Sequence, residues 1–314
     1  MAIAGDGPWT LSGGERNLFL GADWYRFQDY AGGDGDTRQM GPGVTSAGFT
    51  GFWTVGLSSG VELEVKVPVV SVRVDDPEAA ACAAAPRAGW CANTSGIGNV
   101  GATVKGRAID ELRGAPLSLA LVAAARSGEP YARDRGRLTT PGDAQTDVGA
   151  GVTLGRTDVA GRGWYRASAE TLYWQRFAHR TDGADGGPAN EISWSTAAVL
   201  APRPRFSIGP AATGFHRLGG GDLEQADLQD INAFPSLKAT QVQAGAKAAW
   251  YGENDGPTLA VTVLRTVWAR NNPADTLVIS AGVGWFSPRK PTAAPAAFGA
   301  PPLPDLPAPP APSG

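Results

Sequence analysis

Two long runs of alternating apolar and polar residues meet at a tight turn early in the chain. The runs cover residues 44–56 and 61–74, and the turn between them reads LSSG. Side chains alternate faces along a β-strand, so the second run has one almost purely aliphatic face and one charged face. The aliphatic face carries Val61, Leu63, Val65, Val67 and Val69, and the other face carries Glu62, Glu64 and Lys66. Each run has about 12–14 residues, and membrane-barrel strands need about this length and this period. The segment therefore predicts a transmembrane β-hairpin.

Composition agrees with a barrel. Only 18% of the 314 residues are charged, the net charge is −3, and the chain contains 43 Gly and 10 Trp. No apolar run is long enough for a transmembrane helix, and a membrane-spanning chain without helices must close its sheet to satisfy its backbone. The balanced charge, with no basic stripe, argues against a nucleic-acid partner. A cytosolic all-β protein remains the alternative.

The same alternation of apolar and polar residues recurs along residues 16–286 and gives about twelve candidate strands. Short and long connections alternate between them. We predict an all-β fold: a transmembrane antiparallel up-and-down β-barrel in the bacterial outer membrane, with short periplasmic turns and long extracellular loops. Aromatic residues lie mostly near strand ends, where the girdles of such barrels are found. They are Trp24, Tyr25, Trp53, Tyr165, Tyr173, Trp194, Trp250, Trp268 and Trp285.

The two ends of the chain differ from the predicted barrel. Residues 1–15 are polar and glycine-rich, and we expect them to form an N-terminal periplasmic segment. They show no basic region followed by an apolar run, so we expect that a signal peptide has been removed. Residues 287–314 are rich in Pro and Ala, which predicts a disordered or polyproline II tail. The tail either reaches a periplasmic or envelope protein partner or is an extension without a role.

Cys82 and Cys91 are the only cysteines, and both fall in one long predicted loop. In an exported protein this spacing predicts a disulfide that stiffens the loop. A metal site is a weaker interpretation, because no His or acidic cluster supplies the remaining ligands. We predict no metal and no cofactor.

Charged side chains on the inward faces of the predicted strands form the candidate functional surface. Charges that face a wet lumen set solute selectivity. Alternatively, opposite charges pair across a narrow barrel and fill it, since about twelve strands lies between filled barrels of 8 and open porins of 16–18. The candidates are Glu62, Glu64, Lys66, Lys105, Arg107, Arg126, Arg166, Glu170, Glu191 and Lys247. We expect the first three, on the third strand, to face Lys105 and Arg107 on the fourth.

An enzymatic role finds little support in the sequence. His179 and His216 fall in or beside predicted loops, and no serine nucleophile is placed near either by local spacing. A catalytic triad is assembled in space rather than along the chain, so the sequence leaves a hydrolase open as a third hypothesis. We predict that the protein is not an enzyme.

Two short stretches resemble a known family. Glu62, Leu63, Val65 and Pro68 match a strand pattern, and residues 96–99, GIGN, match a strand start, of the meta-pathway phenol degradation transporter family of outer-membrane proteins. The resemblance implies a barrel and suggests passive uptake of small, often hydrophobic compounds. This family is sometimes linked to long-chain fatty acid transporters, which have an N-terminal hatch, whereas only about fifteen residues precede the first predicted strand here.

Two functions follow as hypotheses. The first is an outer-membrane channel for passive diffusion of small solutes, including hydrophobic or aromatic ones. The second is a structural or scaffolding barrel with a plugged lumen in a cell-envelope complex. The expected partners are outer-membrane lipid or lipopolysaccharide, a small-molecule solute and, through the tail, an envelope protein.

Overall fold

The computed structural model describes residues 7–75, 82, 91, 93–127, 146–160, 163–177, 189–203, 205–219, 238–253 and 256–288. Most of these residues lie in extended strands, as the two-residue period predicts. The strands are β1 (Arg16–Ala31), β2 (Thr37–Ser58), β3 (Val61–Val74), β4 (Thr94–Ile97), β5 (Val100–Ile109), β6 (Ser118–Ser127), β7 (Thr146–Ala160), β8 (Gly163–Phe177), β9 (Glu191–Arg203), β10 (Phe206–Arg217), β11 (Ala239–Tyr251), β12 (Thr258–Arg270), β13 (Asn272–Pro273) and β14 (Leu277–Ser287).

The strands form one closed antiparallel sheet. β1 pairs with β2 on one side and with β14 on the other, and the other neighbours follow chain order. β4 and β5 both pair with β3 and share one position in the wall, while β13 is a two-residue bridge beside β1. The fourteen strands therefore give twelve wall positions, which confirms the predicted up-and-down barrel.

The fourth predicted strand, residues 98–107, is longer in the structure and is interrupted. β3 pairs Val69 with Ile97 but Lys66 with Gly101, so the register shifts by one residue between these pairs. The shift falls at Pro68, which has no N–H to donate to a ladder. The Pro68 carbonyl instead accepts a hydrogen bond from the Gly98 N–H at 2.9 Å.

Strand β1 shows the height of the apolar band. Arg16 and Arg26 are exposed and face outward, and between them lie Leu18, Leu20, Ala22 and Trp24 on the same face. Ten residues rise about 33 Å along a strand, and a tilt of roughly 40° reduces this to about 25 Å across the membrane. That is the usual height of the lipid-facing band of an outer-membrane barrel.

Most of the predicted girdle aromatics face outward. Trp53, Leu18 and Trp285 lie side by side on β2, β1 and β14 near the periplasmic turns, and all three are more than 40% exposed. Tyr25 is the exception, because it shares the inward face of β1 and lies opposite the buried Ser46. The prediction was wrong for Tyr25 because it used distance from the strand end and not the alternation of faces.

The remaining predicted features are placed as follows. The disulfide Cys82–Cys91 is present, with Cα atoms 5.7 Å apart. No helix in the described ranges is long and apolar enough to cross a membrane, and a single turn of 3₁₀ helix lies at Glu111–Arg113. The predicted tail lies outside the described residues from 289 onward, and so does His179.

Candidate functional site: the barrel lumen

The segment that precedes β1 lies inside the barrel at its periplasmic end. The Gly14 N–H donates to the Gly56 carbonyl of β2 at 2.8 Å, and the Gly56 N–H donates to the Glu15 carbonyl at 2.9 Å. A Cβ added at Gly56 would overlap the Ser12 carbonyl, and one added at Gly155 would meet Trp9 at 2.6 Å. Both glycines therefore make room for the segment at 7–15, which we call the N-terminal segment.

A buried ion pair holds this segment against the wall. Lys105 Nζ lies 3.0 Å from Glu62 Oε1, and the two side chains are 5% and 2% exposed. Each partner also binds the N-terminal segment: Lys105 Nζ donates to the Gly7 carbonyl at 3.0 Å, and Glu62 Oε2 accepts from the Leu11 N–H at 2.9 Å. Hydrogen bonds that satisfy a buried pair on both sides offset its desolvation cost.

Trp9 closes the other side of the periplasmic end. Its indole Nε1 donates to Glu111 Oε1 at 3.0 Å, and its ring lies 4.3 Å from the guanidinium carbon of Arg166. Glu111 in turn accepts from the Thr157 N–H at 3.0 Å. The short helical turn between β5 and β6 is thus tied to β7 through the same carboxylate that holds Trp9.

Above this closure lies a cavity of about 530 Å³. One wall is charged and comes from β3 and β5, with Glu62, Glu64, Lys66 and Lys105. The opposite wall comes from β9 to β14 and combines hydroxyl groups with small aliphatic side chains. Its residues include Ser195, Ala197, Ala211, Thr213, Thr262, Leu264, Val278 and Ser280, and Lys247 adds a charge. The cavity therefore has one ionic side and one weakly polar side.

Aromatic packing fills part of the lumen beside the cavity. Phe19 and Phe52 meet edge to face with ring centroids 6.0 Å apart, and they pack with Ala249 and Ala260 into a small apolar cluster. The Lys66 ammonium lies 5.7 Å from the Phe52 ring centroid. The cluster narrows the lumen on the β1–β2 side and leaves the space toward β9 and β10 open.

A second ionic group lies in the extracellular half of the lumen. Asp147, which is fully buried, accepts from Arg126 Nε at 2.6 Å and from Arg176 Nε at 3.4 Å. Glu191 lies 3.0 Å from Arg217 and 3.7 Å from Arg126. Three arginines and two carboxylates give this group a formal charge of +1.

The predicted site residues thus separate into three levels. Glu62, Glu64, Lys66, Lys105, Glu170 and Lys247 line the cavity. Arg126 and Glu191 belong to the extracellular ionic group, and Arg166 belongs to the periplasmic closure. Arg107 does not meet a β3 carboxylate, because its guanidinium pairs with Asp110 at 3.3 Å in the turn after β5. The sequence predicted Arg107 opposite the β3 charges. Arg107 lies two residues beyond Lys105 on β5, past the position where β3 begins at Val61.

Several functional-site residues were missed by sequence reasoning. Asp147 and Arg176 continue the inward faces of their strands, so alternation alone would have found them, whereas Arg217 is the last residue of β10. Trp9 and Glu111 carried no periodic signal.

The described His216 lies on the outer face, 2.7 Å from Thr240 Oγ1. Among the residues that the structure describes, no group of three or more His, Cys, Asp or Glu side chains is placed to hold a metal ion.

The chain resembles solved outer-membrane proteins in structure but not closely in sequence. No protein-family model and no curated protein sequence matches it. The COG4313 outer membrane channel from Pseudomonas putida F1 superposes with a TM-score of 0.62 at 13% identity, over 91% of this chain and 100% of that one. The translocator domain of the autotransporter NalP from Neisseria meningitidis gives a TM-score of 0.42 at 11% identity, over 88% of this chain and 89% of that one.

The likeness to the COG4313 channel covers the whole barrel and concerns the fold alone. The resemblance of two stretches to the meta-pathway phenol degradation transporter family stays a prediction. Closure of the sheet, the outward apolar band and this likeness agree with one another: the chain is a twelve-stranded β-barrel of the bacterial outer membrane.

Proposed function

We propose that the barrel is a channel for passive diffusion of small solutes across the outer membrane, and that it is not an enzyme. The cavity of about 530 Å³ within the lumen carries this proposal. A barrel that served only as a scaffold would gain stability from filling that space with side chains. The lining instead leaves room for a small molecule beside charged groups.

The two unlike walls of the cavity suggest the class of solute. Glu64 and Lys66 offer hydrogen-bonding and ionic partners on one side, while Ala197, Ala211 and Leu264 offer apolar contact on the other. A solute with one polar group on a compact apolar or aromatic body would satisfy both walls. A uniformly charged solute would leave the aliphatic wall unused.

We infer that the N-terminal segment blocks the periplasmic end, where it contacts the wall, and that solutes cross when this segment moves. Among the described residues, the contacts that hold it include backbone hydrogen bonds to Glu62 and Lys105 and the stack of Trp9 on Arg166. Such contacts can open locally without unfolding the barrel. Conductance of the resting channel should therefore be small and intermittent.

Planar bilayer recording of the purified full chain tests the proposal, together with swelling of vesicles loaded with small phenolic or aromatic-acid solutes. Ala197→Trp should reduce solute flux several-fold, because Ala197 faces the cavity. Ala198→Trp is the matched control: the residue pairs with Ala167 on the outward face, where an indole suits lipid, and flux should not change. Equal flux for both variants, or no flux at all from the wild type, would reject the channel and favour a structural barrel.

A further inference from the structure

Three arginines form a row across neighbouring strands on the outer wall of the barrel near its extracellular end. Cross-strand pairing runs from Arg265 to Leu277, from Leu277 to Arg26, from Arg26 to Thr45, and from Thr45 to Arg73. All three arginines are exposed. Neighbouring strands lie about 4.8 Å apart, so successive arginines are roughly 10 Å apart along the row.

One carboxylate lies within the row. Asp75 accepts from Arg26 Nε at 2.8 Å and from Thr45 Oγ1 at 2.7 Å, and Arg73 Nε lies 4.0 Å away. Burial alone would raise the pKa of Asp75. The hydrogen bonds and the two arginine charges lower it by more than burial raises it, so the pKa of Asp75 lies below its usual value. Asp75 is therefore ionised at neutral pH. Three arginines and one carboxylate leave the row with a formal charge of +2.

An apolar groove of about 570 Å³ lies directly below the row on the membrane side. The next outward positions down the strands include Ile279 and Trp24, and the positions below those include Ala281, Ala22 and Phe49. The two alanines are paired with each other and form a depression between larger neighbours. Phe49, at its edge, is 72% exposed.

We propose that this surface is a docking site for lipopolysaccharide, with a lipid A phosphate on the arginine row and an acyl chain in the groove. Guanidinium groups bind phosphate through paired N–H donors, and basic residues beside a membrane attract anionic headgroups. The side chains of Arg26 and Arg73 are 52% and 67% exposed, so they present donors to the headgroup layer. The cationic row lies above the apolar groove. The phosphates and acyl chains of lipid A have the same order in the outer leaflet.

Native mass spectrometry of the detergent-solubilised full chain tests this surface. The protein is titrated with hexa-acylated lipid A, with the same lipid A stripped of both phosphates, and with phosphatidylglycerol. We expect lipid A to bind best, and the triple variant Arg26→Gln, Arg73→Gln, Arg265→Gln to weaken its binding roughly 100-fold, at about 1 kcal/mol per arginine. Ala281→Phe, which fills the groove and keeps every charge, should weaken binding about tenfold through loss of acyl-chain contact.

Arg156→Gln provides the matched control. Arg156 also faces outward, but it lies at the periplasmic end of β7 and pairs with Asp158 at 2.7 Å. Lipid A binding should not change in this variant. Folding of each variant is checked by heat-dependent mobility on denaturing gels. Unchanged lipid A affinity in both the triple variant and Ala281→Phe would overturn the proposal, and so would equal binding of phosphatidylglycerol or of dephosphorylated lipid A. The outcome does not depend on whether the lumen conducts.

Discussion

Among single residues, Glu62 and Lys105 have a large energetic role, because their ion pair is almost fully removed from solvent and each partner also binds the N-terminal segment. Removing one partner of such a pair leaves an uncompensated buried charge, which costs about 3–5 kcal/mol. We expect Lys105→Met to lower the free energy of unfolding by roughly this amount, measured by urea titration in lipid vesicles. The same change removes the donor to the Gly7 carbonyl, so the N-terminal segment should also become accessible to protease.

The double variant Glu62→Gln, Lys105→Met is the control for that prediction. Neutral groups of similar size avoid the unpaired charge, and the glutamine keeps an acceptor for the Leu11 N–H. The double variant should therefore be more stable than Lys105→Met alone. If both variants were equally unstable, packing around the lysine stem and not the ion pair would explain the loss.

Among the larger elements, the N-terminal segment depends on glycines in the wall. A side chain at Gly56 would overlap the Ser12 carbonyl, so Gly56→Val should displace the segment and raise single-channel conductance several-fold. Gly106→Val is the matched control. Gly106 lies on β5 at the same periplasmic end of the barrel as Gly56, and no atom lies within 4 Å of its added Cβ. Conductance that stayed the same in Gly56→Val would mean that the segment does not limit flow.

The strands themselves could be predicted from the sequence, because alternation is imposed by the pleat of each strand. It placed Glu62 and Lys105 on the inward faces of neighbouring strands, and the register pairs these two residues directly. The N-terminal segment could not be predicted in this way. It has no periodicity, and one of its contacts joins Trp9 to Glu111, 102 residues away. Contacts of that kind depend on the closed barrel and leave no local pattern.

The site was predicted in part for the same reason. The alternation of faces along a strand identifies which side chains enter the lumen. It does not say at what height in the barrel they pair. Arg107 was expected to meet the β3 charges, and it pairs instead with Asp110, three residues on, because β3 ends at the turn below. Asp147 continues the inward face of its strand, but the pairing that makes it part of the site could not be predicted, since its two arginine partners come from other strands.

For the molecule as a whole, the outward apolar band fixes how the barrel sits in the membrane. Leu20 lies near the middle of the β1 stretch between Arg16 and Arg26, whereas Leu18 lies beside Trp53 and Trp285 at the periplasmic edge. An arginine on the lipid face costs about 2–4 kcal/mol at the midplane and about 0–1 kcal/mol near an interface. We therefore expect Leu20→Arg to destabilise the barrel by about 2–4 kcal/mol and Leu18→Arg by less than about 1 kcal/mol.

Urea unfolding in vesicles of one lipid composition measures both values, and each leucine serves as the control for the other. The two side chains are similarly exposed, 48% and 43%, so a difference in cost reports depth and not the loss of packing. Equal costs would place the two residues at the same distance from the midplane. That result would contradict the height derived from β1, and it would move the arginine row away from the headgroup layer in which lipid A phosphates lie.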